Sequence, residues 1–320
     1  MRKIIFGLIA LMSLTLAQSQ TRNWDDELLM VNNPELQGVI VSTNKLIEGN
    51  WGNMPQTTFW ATIMRLSPDS CLINIASNRQ IIERVSLRDW NRYSDLQKDF
   101  YRDSVRRAYN VDSTDKIYVT TGKSDFYRFK EVYPSLTKGI LAFEDNDVDP
   151  WYAQAILLIE SPAQLKKSTA GAYGAFQLMP AIARMYGLTV NRYQDERANF
   201  DRSAYAASSL IKRVCVPSAK KILEENNYQF EEDDLWFRLF VLHIYHAGSG
   251  NVRAVVEKIG ALENGNLLIQ QMWQTKAAQF GNNSQNYSQL ALAAQYIIHD
   301  MTSGSCQGIF DCSTEDVITN

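Results

Sequence analysis

The stretch DPWYAQAILLIESP, residues 149–162, sets the tightest local constraint in the chain. Asp149 is a suitable N-cap, and Pro150 suits the first helical position, where its missing N–H costs nothing. Pro162 disfavours helical geometry at Ser161, so the spacing predicts a helix that ends near that residue. The apolar run Ile156, Leu157, Leu158, Ile159 lies between these signals and is closed by Glu160. Glu160 therefore sits in the last helical turn, facing the negative end of the helix dipole. Its surroundings are apolar, and both effects raise the pKa of a carboxylic acid. An acid that keeps its proton near neutral pH can serve as a general acid. A surface glutamate at a helix end meets the same local description, so the flanking sequence has to decide between the two.

That flank is STAGAYGAFQLMPAIA, residues 168–183. Gly171 and Gly174 let the backbone take positive φ and approach a ligand closely. Gln177 carries an amide that both donates and accepts, as sugar substituents require. A tight turn before a helix starting near Met179–Pro180 is compatible with that role.

The remainder divides by texture. Residues 21–120 read as mixed α and β structure. FWATIMRLSPDSCLINI suggests strands around a Ser-Pro-Asp turn, and KIYVTTG a further short strand. SLRDWNRYSDLQKDFYRDSVRRAYNV reads as helix, with Trp90, Tyr93, Leu96 and Phe100 near helical spacing and assigned to the core. From Ser124 onward helices follow one another between Gly and Pro loops. Pro134 is expected to bend or break one of them, Asp201 and Asn251 to cap others, and Gly248 and Gly260 to end others. EENNYQFEEDD reads as a solvated loop leading into a helix.

With 320 residues and 45% hydrophobic content, a sizeable core is expected. The formal charge of −3 gives no basic excess, so no nucleic-acid partner is expected. Arg2 and Lys3, then the apolar stretch Ile4 to Leu16 and small residues up to Ala17, read as a secretory signal peptide over 1–17. No later segment is apolar and long enough to span a bilayer, so no stable membrane span is expected after cleavage. The location expected is periplasmic or secreted. Cys71, Cys215, Cys306 and Cys312 allow three disulfide connectivities; closing Cys306 to Cys312 costs the least entropy, and four thiols remain the alternative. With His243, His246 and His299 in no metal-binding spacing, neither a metal nor another cofactor is expected.

Taken in order, Glu-Ser at 160–161, Gly-Ala-x-Gly-x-x-Gln-Leu-Met-Pro at 171–180 and Tyr-x-Ala-Gly-x-Gly-Asn-Val at 245–252 resemble the soluble lytic transglycosylases, which cleave peptidoglycan. The resemblance covers roughly residues 124–302. It implies a mainly helical, lysozyme-like catalytic domain over 124–302; with the smaller mixed region over 21–120 before it and a tail over 303–320 after it, the chain is expected to be α+β. The resemblance also implies that Glu160 is the single acid, protonating the bond between N-acetylmuramic acid and N-acetylglucosamine and then acting as base while the muramoyl 6-hydroxyl closes a 1,6-anhydro ring. Ser161 would orient substrate or the acid. Gly174, Phe176 and Gln177 would line the sugar cleft, with Tyr245 near the acid and Tyr287 closing the site from the last helix. Ala175, Phe176 and His246 stand where Leu, Met and Asn are usual. The partner implied is the glycan strand, with residues 21–120 available to an envelope protein. The competing readings are a hydrolytic muramidase, with Asp195, Glu196 or Asp201 holding a water, and a non-catalytic peptidoglycan-binding scaffold.

Overall fold

Nine of the ten residues of the helix Trp151–Glu160 are buried, and the rest of the fold is arranged around it. A helix apolar on every side has to be enclosed by other elements. The computed structural model describes residues 24, 27–32, 36–160 and 167–303. In chain order these form β1 (Leu28–Asn32), β2 (Gln37–Val41), α1 (Asn44–Glu48), α2 (Pro55–Arg65), β3 (Ser70–Ile75), β4 (Ile81–Ser86), α3 (Leu87–Trp90), α4 (Asp95–Ala108), β5 (Ile117–Thr121), α5 (Phe129–Asp145) and α6 (Trp151–Glu160). There follow α7 (Pro180–Met185), α8 (Phe200–Leu210), α9 (Val216–Glu225), α10 (Leu235–Ala247), α11 (Ser249–Ile259), α12 (Gly265–Met272) and α13 (Asn282–Ser303). The protein is mainly helical, with its sheet confined to the N-terminal part. The expected signal peptide, Ser161, Cys306 and Cys312 lie outside the described residues.

Helix α6 packs against β2, α5 and α13. Its one buried polar side chain, Gln154, is fully used. The amide oxygen accepts from Val41 N–H at 2.9 Å, and the amide nitrogen donates to the Val41 carbonyl at 3.0 Å and to Gln295 Oε1 at 2.6 Å. Gln154 thus satisfies the edge of β2 as a neighbouring strand would and ties three elements together. Asp149 caps α6 as its position predicts, its Oδ1 accepting from Trp151 N–H at 2.9 Å.

The N-terminal part is built in two pieces. β1 and β2 form an antiparallel hairpin, and this hairpin, α1, α2 and the short turn between those two helices contribute Ile40, Leu46, Trp51, Phe59 and Ile63 to the same core as α5, α6 and α10. A separate small core of Cys71, Ile73, Ile75, Trp90, Val105 and Ile117 belongs to the antiparallel sheet β4-β3-β5 with α3 and α4. Cys71 and Cys215 are buried free thiols.

Several local expectations are corrected. FWATIMR is helical within α2, not a strand: Pro55 starts it, and Phe59, Trp60, Ile63 and Met64 face the core beside α13. Trp90 is buried, but Tyr93, Leu96 and Phe100 are 45%, 67% and 65% exposed, because Ser94 starts a new helix with a capping box and α4 turns Val105 and Tyr101 to the sheet instead. Pro134 does not break α5: its early position removes the hydrogen bond to the Lys130 carbonyl alone. Asn199, not Asp201, caps α8, and Asn251 lies inside α11 rather than at its cap. A wide π-helical turn over Ile211–Cys215 joins α8 to α9, where Pro217 removes a backbone donor.

Candidate active site

Glu160 ends α6 with part of its surface open to solvent, although protein atoms crowd the carboxyl. Burial pushes its pKa up to about 7, and the nearby Tyr287 phenol, which favours the charged form, does not cancel that. No cation pairs with Glu160 among the described residues. A group poised near neutrality can give up a proton and take it back.

Three phenols lie within electrostatic reach of this carboxyl: Tyr127, Tyr245 and Tyr287. Burial, and then the charge of Glu160, keeps each of them protonated. Tyr245, from the end of α10, donates to the Phe176 carbonyl at 2.6 Å and so ties that helix to the glycine loop. Tyr287, from the start of α13, is buried, and its hydroxyl makes no hydrogen bond of ordinary geometry although it lies beside the Glu160 carboxyl. It is available to the carboxylate or to a ligand. Tyr127 lies on the segment before α5; nothing in the sequence reading singled it out, because no short motif surrounds it.

The imidazole of His246 stacks on the Tyr287 ring, with centroids 4.3 Å apart and planes 21° apart. Burial lowers its pKa to about 4, so the ring is neutral at pH 7. His243, one turn earlier, is fully buried; burial lowers its pKa to about 3, and its Nε2 lies 2.9 Å from Ser288 Oγ, which also accepts from Trp273 Nε1 at 2.8 Å.

The loop after α6 owes its shape to Arg197. This side chain is 2% exposed, donates to the Gly171 and Leu178 carbonyls at 2.8 Å each, and is held by both oxygens of Asp195. Gly174 has φ +87°, and a Cβ there would collide with the Arg197 carbonyl, so only glycine fits. Gln177 takes φ +44° and donates back to the Gly174 carbonyl at 3.0 Å. Phe176 is completely buried between Phe143 and Phe200, with centroids at 5.6 and 5.5 Å. Its ring is core and not a cleft wall, and its carbonyl is the group directed to the site. The acids that could be mistaken for a second catalytic carboxylate are engaged elsewhere: Asp195 with Arg197, Glu196 with Thr189 N–H and Arg202, Asp201 with Lys138.

A partly open acid at the end of a buried helix, ringed by phenols and followed by a braced glycine loop, is an arrangement able to hand a proton to a bound molecule. Residues 141–267 match the family model described as the transglycosylase SLT domain. The chain carries that domain, and with it a lytic-transglycosylase type of function directed at peptidoglycan. Tyr127 and Tyr287 lie outside the matched stretch, so the protein completes the site from both flanks. No curated protein matches the chain.

Proposed function

We propose that this protein is an exported lytic transglycosylase that cleaves the β-1,4 bond between N-acetylmuramic acid and N-acetylglucosamine, with Glu160 as its single general acid and base. The observation that supports the reading is the Glu160 carboxyl itself, paired with no cation among the described residues and raised to about 7 by burial. Protonated Glu160 gives its proton to the glycosidic oxygen as the bond from that oxygen to C1 breaks. The muramoyl 6-hydroxyl oxygen then bonds to C1, and its proton returns to the Glu160 carboxylate. No water is consumed, and the product is a 1,6-anhydro sugar. One carboxyl performs both steps, unlike the paired carboxylates of most glycosidases. Tyr287 can donate to the carboxylate while it is charged, whereas Tyr245 gives its one hydroxyl hydrogen to the Phe176 carbonyl. His246 and Gln177 flank the position of the glycan, and Ser161 follows the acid directly in sequence.

A hydrolytic muramidase would need a second carboxylate to hold a water. The engagement of Asp195, Glu196 and Asp201 with other partners favours the anhydro route. A non-catalytic scaffold would have no use for an acid raised toward neutrality. Export is supported by the basic and apolar start of the chain; no described helix is long and apolar enough to cross a membrane. The test is product analysis by mass spectrometry on purified peptidoglycan. Anhydro ends, one water lighter than reducing ends, are expected from the wild type and absent with Glu160→Gln; reducing ends, or activity that survives Glu160→Gln, would overturn the reading.

A further inference from the structure

The first turns of α13 present a run of buried polar side chains: Ser284, Gln285, Asn286, Ser288 and Gln289 are each under a tenth exposed. A helix face of this composition is stable only if partners from other elements satisfy it. Three of those partners are hydrogen-bond donors, and they sort by origin. Trp273, before α13, donates to Ser288. The other two come from the N-terminal part. Trp60 of α2 donates Nε1–H to Gln289 Oε1 at 3.1 Å, and Arg79, at the tip of the β3–β4 hairpin, donates from Nη2 to Asn286 Oδ1 at 2.9 Å.

Arg79 reaches across more than two hundred residues of sequence to make that bond, and its path is built for it. Its backbone holds φ +63°, an uncommon setting for a side chain other than Asn or Gly, kept by Arg79 N–H donating to the Ile75 carbonyl at 3.1 Å. The guanidinium passes over the faces of Phe59 and Trp60, 5.4 and 5.6 Å from their centroids. Arg79 and Trp60 therefore grip residues 286 and 289, three apart and so on the same side of the helix. Tyr287 lies within that turn. Its ring stacks on His246 and its hydroxyl meets the Glu160 carboxyl without ordinary hydrogen-bond geometry, so the quality of that contact depends on how α13 is rotated.

We propose that Arg79 is a positioning residue for the reaction: through Asn286 it fixes the rotational setting of the first turns of α13, and so holds Tyr287 against Glu160. The small sheet then has a task in the site, as the base of a strut between the hairpin and the catalytic helix. The inference rests on the reading of Glu160 as the acid. Tyr127, Tyr245 and Tyr287 face that carboxyl, and only Tyr287 is carried by the helix that Arg79 holds.

The test uses the full chain with Arg79→Ala, Arg79→Lys, Asn286→Ala and Glu160→Gln. It measures folding by thermal denaturation, kcat and KM on soluble peptidoglycan fragments, and the pH at which kcat falls on the alkaline side. Loosening α13 misplaces Tyr287 and admits water to Glu160, and because burial outweighs the Tyr287 contact in setting the Glu160 pKa, the gain in solvation decides the direction. Arg79→Ala and Asn286→Ala are expected to lower kcat by about 10- to 100-fold with KM within about twofold. They should also move the alkaline limb downward, toward the value of an ordinary carboxyl. Arg79→Lys keeps a cation over the rings and should recover part of the loss. Wild-type kcat and an unmoved limb in folded Asn286→Ala would overturn the proposal, even if Arg79→Ala failed to fold. Activity surviving in Glu160→Gln would overturn the acid assignment instead, so the two failures are distinct.

Discussion

The two ends of α6 each carry a carboxyl group, eleven residues apart, and the fold treats them oppositely. At the N-terminal end Asp149 accepts the Trp151 N–H, where the helix dipole favours negative charge, and pairs with Arg238 Nε at 2.7 Å. Arg238, 1% exposed, also meets Glu27 at 3.0 Å. Burial pushes the Asp149 carboxyl up as well, but there the Arg238 guanidinium and the Trp151 N–H work against it, and Asp149 and Glu27 in turn hold Arg238 protonated and above its ordinary value. At the C-terminal end Glu160 follows an apolar run, faces an opposed dipole and pairs with no cation among the described residues. The first end is spent on stability. The second leaves a carboxyl that gains by keeping its proton, which is a liability for folding and an asset for acid catalysis.

The contrast can be broken most sharply at Glu160. Glu160→Gln should lower turnover of peptidoglycan by about 10²- to 10⁴-fold, the usual worth of a general acid. In the wild type, kcat should fall as pH rises through about 7, because the reactive form is the protonated one. A flat profile from pH 5 to 9 would mean that this end is not the acid.

At the opposite end, Asp149→Ala removes a cap and leaves Arg238 short of one carboxylate. It should cost about 3–5 kcal/mol, read as a lowered denaturant midpoint with activity retained in the folded fraction. A loss below about 1 kcal/mol would show that Glu27 alone compensates the guanidinium.

The third expectation joins the two ends. A carboxyl raised from 4.5 to about 7 binds more protons folded than unfolded across that interval. Stability should therefore decline as pH rises from 4.5 to 7 and stay reduced above it. Glu160→Gln should stabilise the protein by about 2–3 kcal/mol at pH 8 and by almost nothing at pH 4. Equal stability of the two proteins at pH 8 would place the folded pKa near the ordinary value.

The smallest effect is expected from Tyr287→Phe. Removing the phenol deletes the one group that favours charged Glu160, so the alkaline limb of kcat should move upward by a fraction of a pH unit. That direction is opposite to the one expected for Arg79→Ala, which distinguishes a lost hydroxyl from a displaced helix.

How much of this was legible beforehand varied with the range of the interactions. The start of α6 follows from Asp149 and Pro150, and those are local rules. Phe176 looked like a cleft residue by its place in a motif, but the motif does not say which side of the loop faces Phe143 and Phe200. Tyr93, Leu96 and Phe100 have helical spacing, yet spacing does not identify which face of α4 meets the sheet. Arg197 was overlooked among acids that were considered for catalysis. Its role depends on carbonyls at Gly171 and Leu178, brought to it only by the path of the loop.

By itself, the sequence determined the acid at a helix end, the apolar run before it, the glycines after it and the mainly helical class of the domain. Each of these follows from residues a few positions apart, where backbone sterics and the helix dipole act. Only the tertiary structure decided that Glu160 is buried enough to be raised while Asp149 is paired with Arg238, that Tyr127 and Tyr287 come in from either side, and that Arg79 reaches Asn286. Those outcomes depend on burial and on partners distant in sequence, and desolvation is a property of the assembled core rather than of any segment.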